Sequence, residues 1–222
     1  MVDRSALLGN ILYKFANADS VRGFQKDYVR YFQEGPPGKV LDLGCGRGLF
    51  MSLLRDAGLE VAGVDGHADS VEMCRSAGFD DVEEGDVLGY LAKQKELGRK
   101  FRGIFCSHLI EHLPGDKALE LVASCADVLA PGGRLVLVTP NVANLEVWSH
   151  VFWLDPTHVR PYPRKLLEAL MEGAGMRIVK SYDDWRTRRK FGVLTLFRLP
   201  VWLLKSGTSI LSGMDSIVVA EK

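Results

Sequence analysis

The chain opens with two stretches in which hydrophobic residues recur every three or four positions, as on one face of an α-helix. The first stretch contains Leu7, Leu8, Ile11, Leu12 and Phe15, and the second contains Val21, Phe24, Tyr28, Tyr31 and Phe32. A polar break at residues 17–20 separates the two, and glycine and proline at residues 35–38 end the second. The pattern predicts two helices, and we assign residues 1–35 to a helical cap ahead of a main domain, residues 36–222.

From Lys39 onward, short hydrophobic runs alternate with stretches of helical periodicity. The strand candidates are residues 39–43, 60–64, 81–84, 103–107, 134–139, 177–182 and 216–220. The helix candidates are residues 50–57, 68–77, 89–97, 118–129 and 163–174. Such alternation is typical of a mostly parallel sheet with helices on both faces, so the predicted fold class is α/β.

Two segments exceed the connections that this alternation requires, residues 142–162 and residues 186–213. The second joins a basic stretch to an apolar one, residues 191–204, which is shorter than the ~20 residues of a transmembrane helix. We expect it to cover the core or form a subunit contact, and membrane-surface contact is the alternative. The sequence leaves open whether the protein is a monomer or a homodimer.

Composition narrows the class of protein. Lys plus Arg equal Asp plus Glu at 28 each, so the charge balance gives no general attraction to nucleic acid. The four cysteines are Cys45, Cys74, Cys106 and Cys125. They show no C-x-x-C pairing, which argues against disulfides and structural zinc. Charged residues near the N-terminus argue against a secretory signal. These features predict a cytoplasmic protein without a nucleic-acid partner.

The glycine-rich run at residues 40–48 is the most informative motif. A buried strand breaks into Gly44-Cys45-Gly46-Arg47-Gly48 and then into a helix, a geometry that lets backbone approach a nucleotide-like ligand. The G-x-G-x-G spacing differs from the dinucleotide fingerprint G-x-G-x-x-G. Asp42 suits a cationic amino-acid group better than a phosphate. These residues favour S-adenosylmethionine over NAD as the cofactor.

Acidic residues follow the next two strands. Asp65, with Gly66, ends the second strand about twenty residues beyond the turn, a position from which a carboxylate can accept hydrogen bonds from ribose hydroxyls. Asp86 follows the third strand and is placed to receive an adenine amino group, beside the apolar surface of Val87. The alternative for both aspartates is that they cap helices.

Together these motifs resemble those of class I S-adenosylmethionine-dependent methyltransferases over residues 39–141. The similar segments, in order, are VLDLGCGRG, GVDGH, EGDV, FCSHLIEHL and LAPGGRLVLVTPN. The resemblance implies a Rossmann-like sheet ordered 3-2-1-4-5-7-6 with the seventh strand antiparallel. It also implies that Ser107 and His108, after the fourth strand, line the cofactor with the residues above.

The segment His108-Leu-Ile-Glu111-His112 contains two histidines four residues apart. A zinc-protease helix would read H-E-x-x-H, and this segment does not, so we predict no metal site. We expect His112 to line the site on the substrate side.

The segment His150–Tyr162 combines aromatic, acidic, basic and imidazole side chains, a mixture that suits an acceptor pocket. Histidine has an ordinary pKa near neutrality, so His158 is the candidate general base and Asp155 could orient it. The alternative is that His158 and Asp155 only fasten the loop to the sheet. The remaining candidate acceptor contacts are Asn141, Trp153, Arg160 and Tyr162.

The predicted function is O-methylation of a glycan, a sugar or a lipid-linked sugar, because the run from Asp155 to Tyr162 resembles a segment of bacterial glycan-modifying methyltransferases. Methylation of a quinone-type or other small molecule is the alternative, and a non-catalytic S-adenosylmethionine-binding module is a further one.

Overall fold

A seven-stranded sheet organises the chain in a computed structural model that describes residues 18–187 and 212–222. The strands are β1 Val40–Leu43, β2 Val61–Asp65, β3 Val82–Glu84, β4 Phe101–Ser107, β5 Leu129–Pro140, β6 Arg177–Asp183 and β7 Asp215–Glu221. Their order is 3-2-1-4-5-7-6, and β7 runs antiparallel to both of its neighbours. The predicted fold class and strand order are confirmed.

Helices lie in the connections, as predicted. They are α1 Ala18–Gln25, α2 Arg30–Gln33, α3 Leu49–Asp56, α4 Ala68–Ser76, α5 Val87–Glu96, α6 Gly115–Val128, α7 Leu145–Ser149 and α8 Arg164–Gly173. A 3₁₀ turn at Lys26–Val29 joins α1 to α2. The predicted helix around residues 7–15 and most of the 186–213 segment, including residues 191–204, lie outside the described residues.

The central strand β1 is buried along its whole length. Strands of a parallel sheet that carries helices on both faces lose water from both sides, which explains the uninterrupted run Val40-Leu-Asp-Leu43. Leu41 and Leu43 join the larger core cluster on one face, and Val40 joins a second cluster that includes Phe32 of α2. Helix α2 therefore contributes to the core of the main domain.

Strand β5 begins earlier than the hydrophobic pattern predicts, at Leu129 rather than Arg134. Leu129 pairs with Phe101, and the next pairing joins Arg134 to Gly103 after a register shift. The intervening Pro131-Gly132-Gly133 reads as a turn in the sequence. The structure instead places this irregular segment within the strand.

The parallel arrangement brings the carboxyl ends of β1, β2, β4 and β5 to one edge of the sheet. The glycine-rich turn after β1, Asp65 at the end of β2, His108 after β4 and Asn141 after β5 all follow these ends. Ligands of open α/β sheets bind at this edge. Among the described helices, none is long and apolar enough to cross a membrane.

Candidate functional site

The turn after β1 needs its glycines. Gly44, Gly46 and Gly48 have φ values of 72°, 51° and 75°, in the left-handed region that other residues adopt only with strain. A Cβ on Gly48 would also lie 2.9 Å from the Sγ atom of Cys74. The turn therefore keeps its backbone open toward the sheet edge and passes directly into α3.

Asp65 fixes this turn. Its carboxylate accepts hydrogen bonds from the backbone N–H groups of Gly46, at 2.8 Å, and His67, at 2.9 Å. The thiol of Cys74 donates to the carbonyl of Gly46 at 3.3 Å. Each Asp65 oxygen still has lone-pair capacity for a ribose hydroxyl. The role of Asp65 as a ribose anchor stays a prediction. In the structure, Asp65 also holds the backbone of the glycine-rich turn.

Asp42 lies on β1, is only 3% exposed and pairs in register with Gly63 and Phe105. Burial raises the pKa of its carboxyl, and the nearby Asp65 carboxylate raises it further, to about 8. Both influences disfavour the ionised form. A cationic group of a bound ligand would favour the ionised form and lower the pKa of Asp42 again. This fits the amino-acid head group that the sequence predicts beside Asp42.

Asp86, the third acidic residue predicted to contact the cofactor, has a structural role as a helix cap. Asp86 is exposed and caps α5, because its side chain accepts a hydrogen bond from the N–H of Gly89 at 2.8 Å. Val87 beside it is buried, and Gly66 has open space where a side chain would stand. The helix-capping alternative for Asp86 is therefore present, and its contact with adenine remains a prediction.

His108 follows Ser107 at the end of β4 with a left-handed φ of 52°. Its Nδ1 lies 3.1 Å from Glu111 Oε1 and its Nε2 lies 3.4 Å from Asp215 Oδ1. Burial lowers the pKa of His108, but the Asp215 and Glu111 carboxylates outweigh it and raise the pKa to about 9. With both ring nitrogens facing carboxylates, His108 is a cation near neutral pH.

Glu111 is the most completely buried carboxylate at this edge, with 0% exposure. One side-chain oxygen faces His108, and the other accepts a hydrogen bond from the hydroxyl of Thr139 at 3.0 Å. Burial raises its pKa, but the His108 contact and charge lower it further, and the net shift is downward. Its backbone carbonyl accepts hydrogen bonds from Val159 and Arg160 N–H groups, which fastens the 142–162 segment to the sheet edge.

His112 and His158 form an edge-to-face ring pair with centroids 4.8 Å apart. The Nδ1 atom of His158 lies 2.6 Å from the carbonyl of Phe152 and must donate its proton there. The Nδ1 atom of His112 lies 2.9 Å from the Thr157 hydroxyl, whose own proton goes to Asp155. Each ring therefore donates from Nδ1, and in the neutral form of either ring the lone pair is on Nε2.

The predicted partner of His158 is only loosely placed. Asp155 Oδ2 lies 3.7 Å from Nε2 of His158, while Oδ1 of Asp155 accepts hydrogen bonds from the N–H and hydroxyl of Thr157. The Phe152 carbonyl is the closer group and orients the ring. Asp155 also holds Thr157, which contacts His112, and its predicted role in orienting His158 stays a prediction beside the shorter contact to the Phe152 carbonyl.

The other predicted acceptor contacts divide into two groups. Asn141 and Tyr162 are buried and hold the fold, with Asn141 donating to the Gly213 carbonyl and Tyr162 to the Leu113 carbonyl. Trp153 is 58% exposed, and Arg160 is exposed with its guanidinium 5.0 Å from the centre of the Tyr162 ring. Only the second group is available to a ligand in this arrangement.

Two side chains of the site went unpredicted. Asp215, on β7, contacts His108, and Thr139, on β5, contacts Glu111. Both lie on strands that reach the site only through the order of the sheet, so no local sequence pattern identifies them as site residues.

A separate cluster is formed by Glu111, His112 and His158. Their candidate metal-ligand atoms all lie within 4.8 Å of one another.

Replacement of Asp65 by alanine tests the ribose assignment. We expect the dissociation constant for S-adenosylmethionine to rise about 10- to 100-fold, the cost of losing charge-assisted hydrogen bonds. Isothermal titration calorimetry measures it, with Asp69→Ala as control, because Asp69 is exposed in the first turn of α4. An unchanged dissociation constant in the Asp65 variant would remove the assignment.

Comparison with known proteins agrees with this geometry. The profile of a methyltransferase domain family matches residues 19–181. A ubiquinone biosynthesis O-methyltransferase of Xanthomonas campestris pv. campestris is 31% identical over 189 residues, which cover 76% of this chain and 77% of the relative. A relative with the same description from Xanthomonas axonopodis pv. citri is 26% identical over 188 residues, 76% of this chain and 77% of that protein.

Solved structures give the same result. An S-adenosylmethionine-dependent methyltransferase from Archaeoglobus fulgidus superposes with a TM-score of 0.78 at 27% identity, covering 99% of this chain and 100% of that one. Magnesium protoporphyrin IX methyltransferase from Synechocystis, solved with bound S-adenosylmethionine, has the same fold, with a TM-score of 0.60 at 15% identity over 91% of this chain and 80% of that one.

The residues at the sheet edge fit this cofactor. The left-handed glycines of the turn carry no side chains and allow backbone to approach a ligand closely, and the buried Asp42 carboxyl, with its raised pKa, matches a ligand that carries positive charge. Asp65 ends β2, the position at which the sequence predicts a ribose anchor. The sequence motifs, the sheet order and the family match agree. This chain is a class I S-adenosylmethionine-dependent methyltransferase.

Proposed function

We propose that the protein methylates a hydroxyl oxygen of a small hydroxylated aromatic molecule of the quinone-precursor type. The observation that carries the proposal is the similarity to ubiquinone biosynthesis O-methyltransferases, 31% identical over three quarters of both chains. The run from Asp155 to Tyr162 first suggested a glycan acceptor, but that resemblance covers only a few residues. The longer similarity favours the quinone-type alternative.

The cofactor supplies an electrophilic methyl group on a sulfonium sulfur, and the acceptor must present an oxygen lone pair in line with it. The lone pairs of His112 and His158 Nε2 support an acceptor site between the 142–162 segment and the end of β4. A neutral imidazole can take the proton of a hydroxyl group as the oxygen attacks. Trp153 and Arg160 are exposed on the same segment, and they suit an aromatic acceptor that carries negative charge.

An acceptor screen tests the proposal. The purified protein is incubated with S-adenosylmethionine labelled in its methyl group and with matched sets of dihydroxylated benzoates, prenylated phenols, free sugars and lipid-linked sugars. We expect label in the phenolic products, identified as methyl ethers by mass spectrometry. Label in the sugars alone would reverse the choice of acceptor and restore the glycan hypothesis.

Replacement of His158 by alanine is expected to slow methyl transfer by about 100-fold or more, the usual contribution of a positioned acid or base. Cofactor affinity should not change, because the residue lies on the acceptor segment and not at the glycine-rich turn. His150→Ala is the matched control, since His150 is an exposed histidine of the same segment. A His158 variant with an undiminished rate on the true acceptor would refute this role.

The location of the enzyme follows as part of the proposal. All four cysteines are free and buried. Free thiols persist in the reducing cytoplasm, which supports the predicted cytoplasmic enzyme.

A further inference from the structure

We propose that Cys45 and Cys74 form a site of reversible oxidation, at which a disulfide bond weakens the binding of S-adenosylmethionine. Cys45 belongs to the glycine-rich turn, and Cys74 is a buried residue of α4. Their Sγ atoms lie 3.9 Å and 3.3 Å from one shared atom, the carbonyl oxygen of Gly46. The two thiols also hydrogen-bond to each other. The fold therefore brings two sulfur atoms from distant segments together at the turn.

The packing around the pair keeps both sulfurs beside the turn. A Cβ on Gly48 would lie 2.9 Å from Sγ of Cys74, and a Cβ on Gly63 of β2 would lie 3.1 Å from Sγ of Cys45. The two sulfurs therefore fill space that these glycines leave open. The small hydrophobic cluster that contains both cysteines is completed by Met51, Val71, Phe79 and Val82.

Disulfide exchange with oxidised glutathione gives a balanced reaction. Cys45 is 6% exposed and Cys74 is 0% exposed, so Cys45 meets the oxidant first. The Cys45 thiolate attacks one sulfur of oxidised glutathione, and one reduced glutathione leaves. The Cys74 thiolate then attacks the Cys45 sulfur of the mixed disulfide and displaces the second glutathione. Two protein thiols and one oxidised glutathione become one protein disulfide and two reduced glutathiones.

Burial sets the rate of this exchange. It raises the pKa of both thiols, and the Asp42 and Asp65 carboxylates also act to raise the pKa of each. The attacking species is the thiolate, so exchange is slow near neutral pH. The pair should therefore respond to sustained oxidation and not to brief changes. The same two carboxylates are predicted to contact the cofactor, which places the thiols at the cofactor site.

The disulfide bond changes the contacts of the turn. An S–S bond is about 2 Å long, shorter than the separation of two thiols in contact, so the two cysteines must move closer together. Cys74 also loses the proton that it donates to the Gly46 carbonyl. The N–H of Gly46 is held by Asp65, the predicted ribose anchor. The loss of about one hydrogen bond corresponds to a dissociation constant for S-adenosylmethionine that is roughly 10-fold higher.

Cofactor binding and oxidation are linked in both directions. If oxidation weakens cofactor binding about 10-fold, saturating S-adenosylmethionine favours the reduced thiols by the same factor. For this two-electron couple, the reduction potential of the disulfide then rises by about 30 mV. Bound cofactor thus protects the thiols from oxidation. The linkage concerns the cofactor alone and does not depend on the identity of the acceptor.

A redox titration tests the site. The full-length protein is equilibrated in mixtures of reduced and oxidised glutathione, with and without S-adenosylmethionine, then alkylated and digested with trypsin without reduction. Trypsin cleaves after lysine and arginine, so the disulfide joins the peptides of residues 40–47 and 56–75. We expect the joined peptides in oxidising mixtures, with a midpoint potential about 30 mV higher when the cofactor is present. Calorimetry of the oxidised protein should show the roughly 10-fold loss of cofactor affinity.

Two variants complete the test. Cys74→Ser keeps a hydroxyl donor but cannot form the disulfide, so its affinity for S-adenosylmethionine should be the same in reducing and oxidising mixtures. Cys125→Ala removes a buried thiol of the larger core cluster and should respond to glutathione as the parent protein does. Circular dichroism confirms that each variant is folded.

Two results with the parent protein would overturn the proposal: no joined peptides at any glutathione ratio, or joined peptides with unchanged cofactor affinity. Methyl transfer is measured separately. Failure of the phenolic acceptors removes the proposed function and leaves the redox site, whereas an unresponsive cofactor affinity removes the redox site and leaves the proposed function.

Discussion

Replacement of Asp42 by asparagine is expected to stabilise the cofactor-free protein at alkaline pH and to weaken its binding of S-adenosylmethionine. The carboxyl is buried, and its pKa is raised from the ordinary value of 3.8 to about 8 by burial and by the Asp65 carboxylate. A raised pKa means that the contribution of Asp42 to stability is complete below its ordinary value and is lost as the pH rises through about 8. Asparagine has no charge to bury and avoids this loss.

The expected gain in the free energy of unfolding is on the order of 2–4 kcal/mol above pH ~8, and it should vanish in acid. Urea unfolding of the cofactor-free protein at several pH values measures it, with Asp69→Asn as the exposed control. Equal stability of the variant and the parent at alkaline pH would show that Asp42 is not buried in the way described.

Cofactor affinity should respond in the opposite direction. The positive charge of the ligand favours the ionised carboxyl, so the affinity of the parent protein should increase with pH until about 8, and binding below that pH should release a proton. Calorimetry in buffers of different ionisation enthalpy counts that proton. The asparagine variant should bind more weakly by about 10-fold or more and without proton release. A parent protein whose affinity is independent of pH would contradict the placement of Asp42 at the cofactor.

Replacement of Glu111 by alanine is expected to destabilise the fold. The change leaves the His108 cation with one carboxylate instead of two and the Thr139 hydroxyl without its acceptor. The His108 side chain is 45% exposed, so solvent screens the pair, and we expect a loss of about 2–3 kcal/mol, below the cost of breaking a fully buried pair. Glu111→Gln keeps the volume and the bond to Thr139 and should lose less.

The stability lost in Glu111→Ala should depend on pH. The lowered pKa of Glu111 makes its contribution present above its ordinary value of 4.5 and lost on acidification. The raised pKa of His108 makes its contribution complete below its ordinary value of 6.5 and lost as the pH rises through about 9. The difference in unfolding free energy between parent and variant should therefore shrink at about pH 10 and in strong acid. A difference that is constant with pH would show that the alanine acts only by leaving a cavity.

Local patterns in the sequence were sufficient for the cofactor half of the site. Gly44, Gly46 and Gly48 stand within one strand–turn–helix unit, so their spacing alone predicts a turn that needs left-handed backbone. Asp65 was singled out as a candidate because it ends the next strand. Hydrophobic periodicity located the strands, but their order came from the resemblance to a known family, since periodicity carries no information on which strands pair.

The acceptor half depends on contacts between distant segments, which the sequence does not display. His158 was predicted from its own segment, yet its anchor is the carbonyl of Phe152, and any residue type at position 152 offers the same atom. The sequence places His108 and His112 four residues apart, whereas the structure places His158 beside His112, with ring centroids 4.8 Å apart. Asp215 is brought to His108 only by the antiparallel return of β7.

The hydrogen bonds that the N–H groups of Gly46 and His67 donate to the Asp65 carboxylate hold the glycine-rich turn in place through the protein's own contacts. Cofactor binding therefore requires little ordering of the backbone. Part of the affinity comes from the positive charge of S-adenosylmethionine, and part comes from groups that it shares with S-adenosylhomocysteine, the spent form of the cofactor. Those shared groups should retain the spent form after each reaction. We expect an initial burst of methylated product followed by a slower steady rate, with release of the spent cofactor limiting turnover.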